Sequence, residues 1–337
     1  MIRVNKKVLT NCWIIFTIAF LILIVASMSA VIYGAKDIQV KDVIESFVHY
    51  DSSDTSHQII RELRFPRVGG AMLIGAAFGV AGAIMQGITR NPLADTGILG
   101  INAGATFVVS LCFAFYPALS YGWLTVLSFG GAAAATVIIY LFARHPTRGI
   151  TPMRLILAGM IVTALLSSLS SGIAIYFDLS QDIAFWFAGG IAGVGWEELR
   201  WLIPILLPAI LLSFLLSKSI TLISVGEEVA INLGGSVRRT QFLATIIAII
   251  LAGVSASAVG AVSFVGLVVP HISRRFVGTD YRYVLPLSAL LGAVFLVMAD
   301  LASRTIQPPR EVAIGAMAAL VGVPFFLYLA RRETKNL

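Results

Sequence analysis

Ionisable side chains are almost absent from the interior of the long apolar runs in this 337-residue chain. Asp300 is the one acidic residue well inside such a run, while Arg154 and His271 lie near the ends of theirs. Asp300 could be a lone proton site, but Arg304 follows one helical turn later, and a helical ion pair is the favoured interpretation. A carrier driven by an ion gradient needs a relay of such groups at mid-membrane. The sequence therefore disfavours a secondary transporter, which is kept as the alternative from a different class.

Motifs for covalent, metal or nucleotide chemistry are also missing from the sequence. It has no His-Glu-x-x-His run or facing pair of aspartates that would suggest an intramembrane enzyme, and no Gly-x-x-x-x-Gly-Lys-Ser/Thr loop that would cradle a nucleotide. Cys12 and Cys112 lie far apart in apolar stretches, without the spacing of a metal site or a disulfide framework. For His271 and Arg274, a packing or capping role is favoured over catalysis. We predict no catalytic residue, no metal site and no cofactor.

If the chain moves a solute, the energy must come from a partner, and residues 222–235 could receive it. This link between two apolar runs contains a short amphipathic stretch in which Val225, Val229 and Leu233 recur every four residues. Glycines on either side can supply sharp turns. Such a helix could sit in a cleft of another protein, although an ordinary solvated helix between two spans fits the residues equally well. The residues that would form or shape this contact are Gly226, Glu227, Glu228, Val229, Leu233 and Gly234.

The elements that must position these residues follow from the composition. Hydrophobic residues make up 58% and charged residues 12% of the chain, with a mean hydropathy of +0.92, whereas a soluble domain is about half apolar and a quarter charged. A spanning helix needs about 20 apolar residues, so a water-soluble fold is excluded. We predict an all-α integral membrane protein with about ten helices, over residues 12–33, 63–87, 93–115, 123–143, 152–177, 197–217, 238–259, 263–277, 284–304 and 312–330.

Two segments are not expected to form full spanning helices, and three glycine repeats predict where helices pack closely. Residues 263–277 are short and contain Pro270, so we expect a bent or half-length helix there. Residues 182–196 are too rich in glycine to span and should re-enter or lie at the interface. Small residues one turn apart let helices approach closely in lipid, and glycines recur at this interval in 75–79, 100–104 and 189–193.

The charges are best explained by membrane topology. The net charge is +7, but the basic residues stand singly between apolar runs, and we expect no nucleic-acid partner. With ten spans and the N-terminus inside, two thirds of the 24 lysines and arginines fall in inner loops. The positive-inside rule therefore predicts a multi-pass protein of the cell membrane with both termini in the cytoplasm.

A set of short motifs, in a fixed order, resembles one family: the FecCD-type permease subunits of iron-siderophore and vitamin B12 ABC importers. The resemblance covers residues 61–330, with two small departures: Thr96 stands where the family usually has proline, and residues 260–263 read GAVS where GPIG is common. The motifs are LRFPR (63–67), GAIMQG (82–87), RNPLAD (90–95), GILG (97–100), GEE (226–228), FVGLVVPH (264–271), LPLS (285–288), ADLASR (299–304) and GVPFF (322–326).

The resemblance implies the type II importer architecture and a set of partners. A second permease, identical or homologous, would complete the pathway, two ATP-binding subunits would lie below, and an extracytoplasmic substrate-binding protein would dock above. The cargo would be an iron(III)-siderophore, with vitamin B12 or haem as alternatives. ATP hydrolysis would belong to the separate subunits, so this chain would not be an enzyme.

The resemblance also implies roles for individual residues. The stretch Gly226–Gly234 would be the coupling helix that meets the ATPase. Arg64, Arg67 and Arg304 match outward-facing arginines that receive acidic residues of the binding protein; snorkelling to headgroups is the other interpretation. Arg310 is a further candidate of lower rank. From orientation we expect Met85 and Gln86 to face the pathway.

We expect a single polytopic domain over residues 1–337. Its parts would be a first helix (12–33), an outer segment (34–62), helices 2 to 6 (63–217), a cytoplasmic coupling segment (218–237) and helices 7 to 10 (238–330).

Overall fold

The computed structural model describes residues 6–34, 38–145, 149–150, 152–188, 190–260, 262–308 and 310–333. These residues are overwhelmingly helical. Two short strands, β1 (Arg144–His145) and β2 (Gly149–Ile150), pair as an antiparallel hairpin between two helices. The predicted all-α membrane fold is confirmed.

Fifteen α-helices follow one another along the described residues. A π-helical turn, Ile59–Arg64, runs directly into α4, and a 3₁₀ turn, Thr96–Leu99, precedes α5. The helices are α1 (Lys6–Ile32), α2 (Val40–Val48), α3 (Thr55–Gln58), α4 (Phe65–Thr89), α5 (Ile101–Phe115), α6 (Tyr121–Ala143), α7 (Pro152–Tyr176), α8 (Ser180–Ala188), α9 (Trp196–Leu215), α10 (Ser217–Val225), α11 (Glu227–Asn232), α12 (Val237–Val259), α13 (Val265–Val277), α14 (Tyr281–Thr305) and α15 (Ile314–Glu333).

Ten of these helices correspond to the ten predicted segments. Seven helical stretches within the described residues are long and apolar enough to cross a membrane: those of α1, α4, α6, α7, α9, α12 and α14. Helix α5 and the apolar part of α15, Ile314–Leu327, are shorter. Helix α13 has 13 residues with Pro270 inside it, as expected for a half-length helix. Helix α8, which overlaps the stretch predicted not to span, is only nine residues long.

The third predicted helix begins later than the sequence indicated. Residues 93–100 do not continue α5 but form a turn and the 3₁₀ segment, and α5 starts at Ile101. Gly100 adopts a left-handed conformation, with φ of 67°, between the two helical segments. Because a residue in this region cannot continue a right-handed helix, the apolar run is broken although its hydropathy is continuous.

Helix α4 lies at the centre of the bundle. In the most apolar window of residues 55–89, 78% of the window is buried inside the chain, whereas the share is 22% in the corresponding window of residues 154–176 of α7. The glycine repeats make this packing possible, because a Cβ atom on Gly75 would overlap the carbonyl oxygen of Gly292 in α14. In the same way, a Cβ on Gly104 of α5 would overlap the carbonyl oxygen of Gly131 in α6. The predicted close helix approach is confirmed for these two repeats; residue 189 of the third lies outside the described residues.

We predict that Gly75→Ala destabilises the bundle whereas Gly172→Ala does not. The added methyl group at position 75 must push α14 away, at a cost of about 1–3 kcal/mol. At Gly172, in α7, a methyl group would have no atom of another element within 4 Å. Thermal unfolding of the two variants in detergent measures the difference, and equal melting temperatures would contradict the close approach of α4 and α14.

Candidate functional site

Polar side chains cluster at the two ends of the bundle, and α4 joins them. The residues at the two ends of α4, Arg67 and Arg90, are separated by about 35 Å at 1.5 Å per residue. The Arg67 cluster consists of Arg64, Arg67, Asp300, Arg304 and Glu311. The Glu227 cluster consists of Arg90, Glu227 and Gln241.

Arg67 binds two carboxylates at once. Its Nε and Nη2 atoms donate to Oδ1 of Asp300, at 2.9 and 2.8 Å. Its Nη1 and Nη2 atoms donate to Oε1 and Oε2 of Glu311, at 2.7 and 2.9 Å. Both edges of the planar guanidinium are therefore occupied, and the contact with Glu311 is the paired, parallel geometry in which arginine binds a carboxylate most strongly.

Asp300 has a second cationic partner one turn along α14. Nη2 of Arg304 lies 3.1 Å from its Oδ2, so the ion pair expected from the four-residue spacing is present. The Asp300 side chain is 1% exposed, and in such surroundings a charge persists only when it is paired. The pairing with Arg67, 233 residues away, could not be read from the sequence.

Arg64 and Arg304 both reach the end of α1. Nη1 of Arg64 donates to the carbonyl oxygens of Val31 and Ile32, at 2.6 and 2.7 Å, and Nη2 of Arg304 donates to that of Ala30, at 3.0 Å. The last carbonyls of a helix lack intrahelical partners and attract cationic side chains. These two arginines thus cap α1, a role that sequence reasoning missed because the partners are distant in the chain.

A π-helical turn precedes α4 and carries the first of these arginines. A π-turn inserts one residue into a helix and is frequent at functional sites. It ends at Arg64, whose side chain turns into the protein and is 6% exposed. Arg304 is likewise 6% exposed, and the Arg67 side chain 11%. The structure therefore brings together the three predicted docking arginines, but largely covers them.

The predicted coupling residues lie at the other end of the bundle. Nε2 of Gln241, in α12, donates to Oε1 of Glu227 at 3.1 Å, and Nη2 of Arg90 lies 3.9 Å from the same oxygen. Arg90 ends α4 in a left-handed conformation. Glu227 therefore connects α11 to both α4 and α12, whereas the neighbouring Glu228 is exposed.

Three apolar side chains, at the end of α10, in α11 and just after α11, are exposed on the outside of the chain, and we call them the apolar strip. The exposed fractions of Val225, Val229 and Leu233 are 68%, 43% and 66%, while Ala230 faces inward and is buried. Gly226 separates the two short helices, and Gly234, with φ of 79°, follows the second. All three apolar side chains are exposed in the single chain, and the helix that the four-residue spacing predicted is interrupted at Gly226.

Met85 and Gln86 do not lie at a surface. Their exposed fractions are 1% and 3%. Gln86 donates through Nε2 to the carbonyl oxygen of Gly266, at 3.0 Å, and its Oε1 accepts a hydrogen bond from Nη2 of Arg274, at 2.5 Å. It ties α4 to α13, and both side chains lie inside the single chain, so their predicted place on the pathway stays a prediction.

The other residues considered for catalysis or metal binding are His271, Cys12 and Cys112, and the structure shows them packed or buried. His271 packs edge-on against Phe325, with 5.6 Å between ring centroids, in line with the predicted packing role. Cys12 and Cys112 are both buried free thiols. Among the described residues, no group of three or more His, Cys, Asp or Glu could hold a metal ion.

Comparisons with known proteins agree on one group of relatives. The model of the FecCD transport family matches residues 20–332. The chain is 47% identical over 307 residues to the iron(3+)-hydroxamate import system permease protein FhuB of Bacillus subtilis (strain 168), covering 90% of this chain and 79% of that protein. It is 36% identical over 319 residues to the ferric enterobactin transport system permease protein FepD of Escherichia coli (strain K12), covering 94% of each.

A solved structure has the same architecture. It is a putative metal-chelate type ABC transporter in an inward-facing conformation, with a TM-score of 0.83 and 27% identity, covering 95% of this chain and 99% of that one. The second similar structure, PsaBC from Streptococcus pneumoniae, has a TM-score of 0.59 and 18% identity, covering 86% of this chain and 95% of that one. That likeness concerns the fold alone.

We predict that Asp300→Asn destabilises the chain strongly. The change leaves Arg67 and Arg304 without their shared buried counter-charge, and breaking such a pair costs about 3–5 kcal/mol. Thermal unfolding in detergent should show a large drop in the midpoint. The matched control is Asp178→Asn, an exposed residue with φ of 58°, a conformation that asparagine also tolerates. If both variants melted like the unmodified protein, the network would contribute nothing to stability.

Proposed function

Because this chain belongs to the FecCD transport family, we propose that it forms, with a second permease, the membrane pathway of an ATP-driven importer of iron(III)-siderophores. It is a multi-pass membrane permease of the ABC importer class, a transport subunit and not an enzyme. The single observation that best supports the proposed mechanism is the uncovered apolar strip of α10 and α11, tied to the bundle through Glu227. It supplies a place where an external motor can act.

The orientation is part of the proposal. The positive-inside rule favours cytoplasmic termini in the cell membrane. The Glu227 cluster then lies on the cytoplasmic side, and the Arg67 cluster lies on the outer side. This places the two clusters where an ATPase and a binding protein would meet the chain. Residues 218–237 would form the coupling segment between helices 2 to 6 and helices 7 to 10.

Each of two ATP-binding subunits would bind one permease through the apolar strip. Burying Val225, Val229 and Leu233 in a cleft gives the contact its affinity, because about 25 cal/mol is gained per Å² of apolar surface removed from water. Gly226 and Gly234 let α11 pivot at both ends. Glu227 would then pass its movement to α4 and α12, and the bundle would alternate between outward and inward openings.

At the outer end, an acidic patch of the binding protein would meet the Arg67 cluster. The three arginines carry one more charge than Asp300 and Glu311 together, which favours an acidic partner. Arg64 and Arg304 would keep the cluster in place by capping α1. Arg67, which faces the exposed Glu311, would make the contact with the binding protein. The pathway would reach Met85 and Gln86 only in a state in which α13 has moved away from α4.

The cargo is proposed from the relatives. Their names include iron(3+)-hydroxamate and ferric enterobactin, both chelates of iron(III). Transport of an intact chelate needs a wide path with few strong binding groups and no cofactor. Vitamin B12 and haem are the alternative cargoes.

We predict that cells lacking this permease fail to accumulate radiolabelled iron from at least one siderophore. Uptake of iron as hydroxamate and catecholate chelates, of vitamin B12 and of haem should be compared in deletion and complemented strains. Because the proposed path serves iron(III)-siderophores, the uptake of vitamin B12 and of haem should not change. A deletion strain that lost only vitamin B12 or haem uptake would contradict the proposed cargo.

We also predict that Val229→Asp prevents the ATPase from binding. The carboxylate would be buried without a partner in the cleft, a cost of several kcal/mol, so the amount of ATPase that co-purifies should fall by at least about tenfold. The matched control is Val48→Asp in α2, where the valine is at least as exposed and the helix packs beside the π-helical turn at the other end of the bundle. Equal recovery of ATPase with both variants would remove the strip from the contact.

A further inference from the structure

Glu311 occupies the one edge of the Arg67 guanidinium that faces outward. It lies in the segment between α14 and α15, and both of its carboxylate oxygens accept hydrogen bonds from Arg67, at 2.7 and 2.9 Å. A paired, parallel contact of this kind is what an arginine offers to a carboxylate of another protein. The chain thus presents its own carboxylate at the position where the proposed partner would bind.

The two carboxylates on Arg67 differ in their freedom to leave. Asp300 is fixed in α14, its side chain is 1% exposed, and Arg304 holds it from the other side. The Glu311 side chain is 43% exposed and belongs to a loop. Beside it, the amide of Val312 donates to the carbonyl oxygen of Ser303, at 2.9 Å, which keeps the loop folded back on α14. Asp300 could leave Arg67 only as a buried charge that loses one of its two partners, whereas Glu311 can swing into solvent by side-chain and loop rotation.

The donors of Arg67 leave no room for a second carboxylate bound through both of its oxygens. A guanidinium has five N–H groups, and four hydrogen bonds already use Nε, Nη1 and Nη2. An incoming carboxylate can therefore make a paired contact only by taking the place of Glu311. Docking through Arg67 is then an exchange of one carboxylate for another, not the filling of an empty site.

Protonation does not free this edge at ordinary pH. The hydrogen bonds and charge of Arg67 hold the pKa of Glu311 below its usual value. A carboxyl group whose pKa is lowered in the folded state keeps its ion pair at higher pH and loses it only as the pH falls through that lowered value. Near neutral pH, Glu311 is therefore ionised and bound, and a competing anion is what can displace it.

We propose that Glu311 occupies the position on Arg67 that a carboxylate of the substrate-binding protein takes, and that Glu311 is displaced when that protein docks. The inference rests on the proposed function and deepens it. The exchange conserves the charge around Arg67, so it costs little, and it releases the loop before α15. Docking would thereby change the position of α15. This helix packs against α13, which is hydrogen-bonded to Gln86.

The test compares Glu311→Gln with Glu62→Gln in the complete importer held in lipid nanodiscs. Both changes remove one negative charge from the outer end, so they alter the long-range attraction of an acidic partner equally. Glu62 is exposed and makes no ion pair that the structure shows with Arg67. The probe is the substrate-binding protein that supports transport by the unmodified importer, and its Kd is measured at constant ionic strength.

The proposal expects Glu311→Gln to bind the probe more tightly, by about fivefold, because the neutral amide competes less well for Arg67. Glu62→Gln should change the Kd by less than about twofold. Binding by Glu311→Gln that is weaker than, or equal to, that of Glu62→Gln would overturn the proposal, since Glu311 would then stay in place as part of the docking surface.

Hydrogen exchange of residues 310–313 provides a second readout that does not depend on a variant. In the unmodified importer the proposal expects exchange in this loop to rise when the binding protein is added, because the Glu311 tether is released. Unchanged or slower exchange would overturn it. If no binding protein docks on the unmodified importer at all, the proposed function fails as well, which distinguishes that outcome from a failure of the Glu311 exchange alone.

Discussion

Helix α4 can occupy the centre of the bundle because glycines bring its backbone against the backbones of its neighbours. A side chain at Gly75 would collide with α14, and one at Gly82 would collide with Gly266 of α13. In lipid, close van der Waals packing of this kind replaces the hydrophobic force that joins helices in water. The same helix then carries the Arg67 cluster at its start and Arg90 at its end. A rigid rod of about 35 Å thus connects the two sites at which other proteins are proposed to act.

The low dielectric of the membrane explains why the charges are placed as they are. An unpaired ion in the bundle interior would cost several kcal/mol, and Asp300 is accordingly held between Arg67 and Arg304. Two other charged side chains lie near helix ends, where Arg64 caps α1 and Glu227 meets Gln241. Few groups among the described residues could bind protons or ions along a path, and the proposed function accordingly has the bundle driven from its ends. That is the physical basis for assigning the motor to a separate protein.

Much of this arrangement could be predicted from the sequence. Hydropathy located the ten apolar helices, the four-residue spacing predicted the Asp300–Arg304 pair, and glycine repeats predicted two of the close helix contacts. Family motifs marked Arg64, Arg67 and Arg304. Their burial could not be predicted, because it depends on α1 carbonyls and on Asp300 and Glu311, which are distant in sequence from Arg64 and Arg67. The late start of α5 was missed because Gly100 interrupts a run that hydropathy treats as continuous, and the inward position of Gln86 depends on its contact with α13.

The most direct test of the central claim is accumulation of an iron(III)-siderophore by proteoliposomes. Vesicles containing this permease with its partner permease, ATPases and binding protein should concentrate the chelate when ATP is supplied. Vesicles containing the permease chains alone should not, even when a proton or sodium gradient is imposed. If the permease alone concentrated the chelate in response to an ion gradient and ignored ATP, the chain would contain its own motor, and the assignment of that motor to a separate ATPase would be wrong.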